Sequence, residues 1–125
     1  MRKGSSSSVQ IFYPRFDKEE LIRKLKKKVE ELAGKLPLSL VVLFGSYAQG
    51  NYTVASDVDL LVVYSGKERK DAFATVKRTL DVPLLEPHVH SQEQYDRLRG
   101  VIVRMIADGV VLFSRKGAKT TKQTE

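Results

Sequence analysis

Two aspartates, Asp57 and Asp59, flank a valine and stand ten residues after the pair Gly45-Ser46. In a β-strand, residues i and i+2 point to the same face, so this pattern places the two carboxylates side by side with Val58 facing the other way. Carboxylates held that close repel each other, unless cations bridge them or one of them keeps a proton. Oxygen ligands on a strand suit Mg²⁺ or Mn²⁺, and Mg²⁺ often combines one or two carboxylates with substrate phosphates.

The Gly45-Ser46 pair offers the complementary half of such a site. Gly45 has no Cβ, so a ligand can approach its backbone closely and its φ can be positive. Ser46 adds a hydroxyl at the predicted start of a short helix, where free N–H groups attract anions. A P-loop is excluded, because Asn51 and Tyr52 stand where that motif requires Lys and Ser or Thr. A phosphate grip that faces a carboxylate pair predicts phosphoryl or nucleotidyl transfer.

Gly-Ser, ten residues, then Asp-x-Asp resembles the signature of the DNA polymerase beta-like nucleotidyltransferase superfamily. The resemblance covers roughly residues 17–114, and the short chain resembles the minimal prokaryotic members. It implies that Gly45 and Ser46 bind the β- and γ-phosphates of an NTP, and that Asp57 and Asp59 are catalytic ligands of two Mg²⁺ ions. In that family a third acidic residue on a later strand completes the metal site and activates the attacking hydroxyl.

The third acidic residue is predicted to be Glu86. A strand over residues 82–90 places Glu86 on one face together with His88 and His90, although family members usually carry Asp at that position. Asp81, at the entry of the strand, is the alternative. Glu86, His88 and His90 could also form a separate Zn²⁺ site, because same-face residues can converge. We favour the simpler interpretation that the two histidines line a polar strand face beside the cleft.

The resemblance also implies a donor and a partner. One Mg²⁺ held by Asp57, Asp59 and Glu86 would activate an acceptor hydroxyl, and a second would bind the triphosphate of ATP or another NTP. Ala48 and Gln49 stand where minimal members often carry Arg or Lys. The small relatives are often encoded beside a helical HEPN-type toxin and act as antitoxins, by adding AMP to a tyrosine or by binding. A non-catalytic module that neutralises a toxin by binding is therefore the alternative function.

Composition agrees with a small enzyme domain. The 125 residues suffice for one domain, and without cysteine neither disulfides nor thiolate metal sites can form. The sequence contains no apolar stretch of membrane-spanning length and no signal-peptide pattern, so the expected location is cytoplasmic. The formal charge of +7 favours anionic partners. The chain has no array of aromatic and basic residues for stacking on nucleic acid, so nucleic acid is not the expected acceptor, and homo-oligomerisation is left open.

The elements that must position these residues follow from apolar periodicity. Residues 1–8 and the basic tail 115–125 are predicted to be disordered, and 9–114 to form the nucleotidyltransferase domain. A helix is predicted from the cap at Asp17 to Gly34, and a second over 69–80, followed by helices near 91–98 and 101–107. Strands are predicted over 39–44, 57–64, 82–90 and 110–113. In the second helix, the apolar stripe assigned to the core is Ala72, Phe73, Val76 and Leu80.

The predicted fold class is α/β, a mixed sheet of about four strands with helices packed on one face. The resemblance implies a nucleotidyltransferase fold, similar to the palm of polymerase beta. The other face of the sheet is expected to be open and to carry the carboxylates. Tyr47 and Tyr52 are expected to be exposed beside them, where a protein acceptor could dock.

Overall fold

A computed structural model describes residues 17–53 and 56–115, so the predicted disorder of 1–8 and, apart from Arg115, of the tail 115–125 lies outside the described residues. Four strands form one sheet in the order β3-β2-β1-β4: β1 (Leu38–Phe44), β2 (Val58–Tyr64), β3 (Leu85–Ser91) and β4 (Val110–Ser114). β1 is antiparallel to both β2 and β4, whereas β2 and β3 run parallel. The predicted mixed α/β sheet is confirmed.

The longest helix, α1 (Lys18–Ala33), begins where the capping pattern predicts. The Asp17 carboxylate accepts the backbone N–H of Glu20 at 2.7 Å, which satisfies one free donor of the first turn. Four buried residues at helical spacing face the sheet: Leu21, Leu25, Val29 and Leu32. In the described residues, no helix combines the length and apolarity needed to cross a membrane.

A second helix, α3 (Ala72–Leu80), packs on the same face of the sheet as α1. Val58, Leu60 and Val62 of β2 point into this layer, as alternation along the strand requires. The residues between them, Leu61 and Val63, point to the opposite face. This division fixes the side of the sheet on which Asp57 and Asp59 must lie.

The opposite face is partly covered, which differs from the expected open face. The described part of the chain also contains three short helices: α2 (Ser46–Gln49), α4 (Gln92–Arg97) and α5 (Arg99–Met105). Ser91 and Gln94 form the predicted capping box at the start of α4. Ile102 of α5 is buried against Phe44 and Leu61. The cover arises because the chain after β3 returns across this face before it enters β4.

One core prediction is wrong. The apolar pattern assigns Phe73 to the buried stripe of α3, but 51% of its surface is exposed, whereas Ala72, Val76 and Leu80 are buried. A helix turns by about 100° per residue, so Phe73 points well away from its neighbour Ala72. The buried arc is completed by Thr75 and Thr79, which are small enough to lie against the sheet.

Replacing Leu80 and Phe73 separately by alanine tests this assignment. Leu80→Ala should lower the free energy of unfolding by about 2–5 kcal/mol, because it leaves a cavity in a fully buried site. Phe73→Ala should change the same quantity by only about 0.5 kcal/mol, as is usual for surface positions. Urea denaturation measures both, and equal losses would place Phe73 in the core after all.

Candidate functional site

The turn after β1 brings the backbone against a carboxylate. Gly45 has φ 79° and ψ −151°, a conformation that L side chains rarely adopt, and α2 begins at the next residue, Ser46. A Cβ atom built on Gly45 would overlap with Oδ2 of Asp59. The backbone angle favours glycine at this position, and a Cβ there would also force the Asp59 carboxylate to move.

The loop that carries Ser46 is anchored to the first turn of α1. The Lys18 ammonium donates to the carbonyl oxygen of Ala48 at 2.7 Å, and the Lys18 backbone N–H donates to the Tyr52 hydroxyl at 3.0 Å. The Tyr52 ring stacks on the Tyr47 ring with centroids 4.3 Å apart. These contacts hold α2 and the Gly45-Ser46 turn in one position, although 34 residues separate Lys18 from Tyr52.

The Ser56 side chain forms a hydrogen bond with Thr53 just before the carboxylates. Its hydroxyl accepts the backbone N–H of Thr53 at 2.8 Å, and its own N–H donates to the Thr53 carbonyl at 3.1 Å. Asp57 follows at once and is exposed, one residue before β2 begins. The turn thus sets where Asp57 leaves the loop and where the strand starts.

The parallel pairing of β2 with β3 brings the third acidic residue to the pair. Asp59 and Glu86 are direct partners in the register of these strands, so their side chains lie next to each other on one face. Asp59 and Glu86 thus meet at the start of both strands, and Asp57, just before β2, acts electrostatically on Asp59. Asp81 lies instead at the end of α3, where it adopts a left-handed conformation (φ 46°, ψ 52°) and stands outside β3.

The surroundings of Asp59 disfavour the ionised form of its carboxyl group. Its side chain is 27% exposed. Burial raises the pKa of Asp59, and the neighbouring charges of Asp57 and Glu86 raise it further, while His88 opposes the rise. The ionised form of Asp59 is thus unfavourable, and a bound cation would stabilise it.

His88 is an ion-pair partner of Asp59 when its imidazole is protonated. Its Nε2 atom lies 3.8 Å from Oδ1 of Asp59, and its ring packs on Phe44 with centroids 5.2 Å apart. His88 therefore lies on the strand face beside the carboxylates, as the alternation of β3 predicts. The spacing of Glu86 and His88 indicates the shared face, but the contact with Asp59 depends on strand register, which the sequence alone does not supply.

The carboxylates fit a magnesium ion that takes its other ligands from water and from a substrate. Among the described residues, no group of three or more His, Cys, Asp and Glu is already arranged to hold a metal, and this applies also to the alternative Zn²⁺ set of Glu86, His88 and His90. Burial and the neighbouring His88 lower the pKa of His90. Two carboxylates, Asp57 and Asp59, leave the remaining coordination positions to water and phosphate oxygens, as Mg²⁺ prefers.

One surface expectation needs correction. Tyr47 is not exposed and available to an acceptor, because it is 3% exposed and belongs to the apolar layer under α1. Tyr52, with which it stacks, is half-buried. The two rings support the turn from behind, so they do not form a docking surface.

Comparison with known proteins assigns the chain to a family. The nucleotidyltransferase domain family matches residues 22–112, and the chain therefore belongs to this family. A Methanocaldococcus jannaschii protein named "Putative protein adenylyltransferase MJ0141" is 46% identical over 44 residues, which are 35% of this chain and 43% of that protein. A second protein of that organism, "Putative protein adenylyltransferase MJ0126", is 39% identical over 46 residues (37% and 44%). Both matches span less than half of the relative's length.

Solved structures show the same fold. A putative nucleotidyltransferase from Sulfolobus solfataricus has a TM-score of 0.55 and 26% identity, over 80% of this chain and 86% of that one. The toxin–antitoxin complex MntA-HpeT has a TM-score of 0.53 and 18% identity, over 74% of this chain and 75% of that one. A toxin–antitoxin structure with AMP-PNP reaches 0.50 at 22% identity, over 74% and 75%.

The role of Gly45 can be tested against a matched glycine. Gly45 and Gly50 both have positive φ, but of these two only Gly45 has another atom within 4 Å of the position that a Cβ would take. Both alanine variants should lose stability because of the backbone strain, roughly 1–2 kcal/mol each. Only Gly45→Ala should in addition weaken Mg-ATP binding, which calorimetry measures. Equal affinities in the two variants would remove Asp59 from the site.

The raised pKa of Asp59 predicts a pH-dependent stability. A carboxyl group that binds its proton more tightly in the folded than in the unfolded state makes the fold less stable as pH rises from the ordinary aspartate pKa of 3.8 through the higher folded value. Asp59→Asn should therefore raise the melting temperature at pH 7 without metal, and this gain should vanish below the unfolded pKa. Thermal scans across this range measure the effect, with Asp71→Asn, at a carboxyl whose pKa is lowered by Arg69, as a control of opposite sign.

Proposed function

We propose that this chain is a Mg²⁺-dependent nucleotidyltransferase that transfers AMP from ATP to a hydroxyl group on a partner protein. The observation that carries the proposal is the pairing of Asp59 with Glu86 across parallel strands, beside a glycine that leaves room for the Asp59 carboxylate. Membership in the nucleotidyltransferase family supports the reaction class.

Each residue has a distinct role in this proposal. Gly45 and Ser46 hold the triphosphate, because the glycine backbone is accessible and the serine supplies a hydroxyl. Asp57 and Asp59 hold the metal ions, which supply charge neutralisation for the triphosphate and the leaving pyrophosphate when they are bound. Glu86 orients the acceptor hydroxyl and takes its proton. The acceptor oxygen bonds to the α-phosphorus, the bond from that phosphorus to the bridging oxygen breaks, and pyrophosphate leaves with the electron pair.

Bound Mg-ATP would stabilise the ionised Asp59 carboxylate. Its carboxylate is crowded by two acidic neighbours and only partly compensated by His88. Binding of Mg-ATP would relieve this repulsion, so the same feature that costs stability in the free protein strengthens substrate binding. The carboxylates then need little rearrangement, and most of the rate gain comes from positioning and electrostatics.

The proposed acceptor is a tyrosine hydroxyl on a HEPN-type helical protein in the cytoplasm. Two relatives carry the name of protein adenylyltransferases, and one neighbour of the same fold is part of a toxin–antitoxin complex. These observations support modification of a protein over extension of a nucleic acid.

Intact-mass spectrometry of this chain incubated with a HEPN-type helical protein tests the function. With Mg-ATP the partner should gain the mass of one AMP, and chelation by EDTA should abolish the gain. Asp57→Ala should abolish both Mg-ATP binding and transfer. Glu86→Gln should keep Mg-ATP binding, within about threefold, and lower the transfer rate by roughly 10²–10⁴, as expected for loss of a general base.

Asp81→Asn is the matched control, since it removes a nearby carboxylate that lies outside β3. Unchanged turnover in this variant, with loss in Glu86→Gln, assigns the third role to Glu86, and the reverse result assigns it to Asp81. A tight complex that never yields an adduct would favour the alternative function, a module that neutralises its partner by binding alone.

A further inference from the structure

The imidazole ring of His88 leans over β2, next to the Asp59 carboxylate. His88 lies on β3 and Phe44 on β1, and β2 runs between them, so the two backbones are about 10 Å apart. The two rings nevertheless approach each other to 5.2 Å between centroids, with their planes tilted by 57°. Phe44 pairs in register with Asp59, and His88 pairs with Leu61. Both rings therefore reach across β2 beside the Asp59 side chain.

The two oxygens of the Asp59 carboxylate have different neighbours. Oδ2 lies against the turn after β1, because a Cβ atom built on Gly45 would overlap with it. Oδ1 lies 3.8 Å from Nε2 of His88. The carboxylate is thus bounded by the backbone of Gly45 at one oxygen and by the imidazole of His88 at the other.

An aspartate side chain needs such neighbours if its carboxylate is to keep one orientation. Its last torsion joins an sp³ carbon to an sp² carbon, and torsions of this kind have broad minima. Glu86, the strand partner of Asp59, carries a like charge and does not attract it. In the part of the chain that the structure describes, no cationic group other than His88 lies within ion-pair distance of Asp59.

His88 does not need to be charged to act on Asp59. The neutral imidazole with its proton on Nε2 and the imidazolium both present an N–H group to the carboxylate. The distance of 3.8 Å is longer than a hydrogen bond of about 2.7–3.2 Å. Hydrogen bonds in active sites are often long before the substrate binds and shorten in the complex. A small rotation of either side chain would bring Nε2 and Oδ1 into hydrogen-bond range.

Phe44 limits the positions that the His88 ring can take. The Phe44 side chain is buried, in an apolar cluster that also contains Leu61 and Ile102. The His88 ring packs on this fixed ring, and only 37% of its side chain is exposed. The packing of the apolar cluster therefore determines where the Nε2 atom lies relative to Asp59.

We propose that His88 is a positioning residue, which orients the Asp59 carboxylate through its Nε2–H group while its ring is held by Phe44. The inference rests on the proposed function, because Asp59 is a metal ligand in that reaction. Groups that hydrogen-bond to a ligating carboxylate orient it, and their loss typically lowers metal affinity or activity by about 10–100-fold. Asp59 requires the N–H group of His88, whereas Phe44 requires only its ring.

Two substitutions separate the N–H group of His88 from its ring. His88→Phe keeps a ring that can pack on Phe44 and removes the donor, whereas His88→Gln removes the ring and keeps an amide N–H donor. In calorimetry at pH 7, His88→Phe should weaken Mg-ATP binding about tenfold, and His88→Gln should stay within about threefold of the parent. If packing alone mattered, His88→Gln would bind more weakly than His88→Phe, and this order overturns the proposal. Parent-like or tighter binding in His88→Phe overturns it as well.

A double-mutant cycle measures the same contact without metal or nucleotide. In EDTA at pH 7, His88→Phe should lower the melting temperature by about 2 °C more in the parent than in Asp59→Asn. The reason is that only the parent has a carboxylate whose ionised form His88 favours. Equal shifts in the two backgrounds would mean that the side chains do not interact, which also contradicts the proposal.

His90→Phe is the matched control. His90 lies on the same face of β3, two residues after His88, and is also half-buried, but it pairs in register with Val63 and forms no ion pair with Asp59. This variant should bind Mg-ATP like the parent. Equal weakening in His90→Phe and His88→Phe would assign the effect to the strand face in general and not to His88.

The outcomes separate this proposal from the proposed function. If His88→Phe weakens Mg-ATP binding and His88→Gln does not, but the parent forms no AMP adduct on a HEPN-type protein, the positioning role stands and the transferase activity fails. If the adduct forms and His88→Phe binds Mg-ATP like the parent, the activity stands and the positioning role fails. If the parent does not bind Mg-ATP, both fail.

Discussion

The parallel ladder between β2 and β3 is the constraint on which the site depends. It places Asp59 opposite Glu86 and His88 opposite Leu61, and it does so through backbone hydrogen bonds. A slip of one residue would turn Glu86 into the apolar layer and Leu85 out of it. The buried side chains of Leu85 and Pro87 make that slip unfavourable, so apolar packing on one face fixes the chemistry on the other.

The ionised Asp59 carboxylate lowers the stability of the free protein, although the proposed reaction requires it. Asp59 ionises against burial and two acidic neighbours, and the compensating His88 is itself held by packing on Phe44. Gly45 adopts a backbone conformation that leaves room for the carboxylate. Such local costs persist when the surrounding structure fixes them, and here α1 contributes through the bonds of Lys18 to Ala48 and to Tyr52. The first helix thus supports the site as well as the core.

The sequence predicts the element order and the sheet well, because β1, β2 and α1 have unambiguous apolar patterns and a cap at Asp17. It places Asp57 and Asp59 on one face of β2, and Glu86 on one face of β3, since alternation in strands is a local property. The prediction that Phe73 is buried is wrong, because the buried side of a helix depends on the element that packs against it. It also cannot supply the contact of His88 with Asp59 or the anchor at Lys18, since both join residues distant in sequence.

The position of β3 at the edge of the four-stranded sheet affects how such a site can change in evolution. In the described part of the chain, β3 is hydrogen-bonded on one side only, whereas β2 lies between two strands. Outward-facing amides of a border strand exchange with solvent more readily, and the strand tolerates bulges and small shifts better than an interior one. Asp59 on β2 is thus rigidly placed, while Glu86 sits on the more adjustable element. On the proposed assignment, selection can therefore retune the acceptor end of the site through β3 while the nucleotide end stays intact.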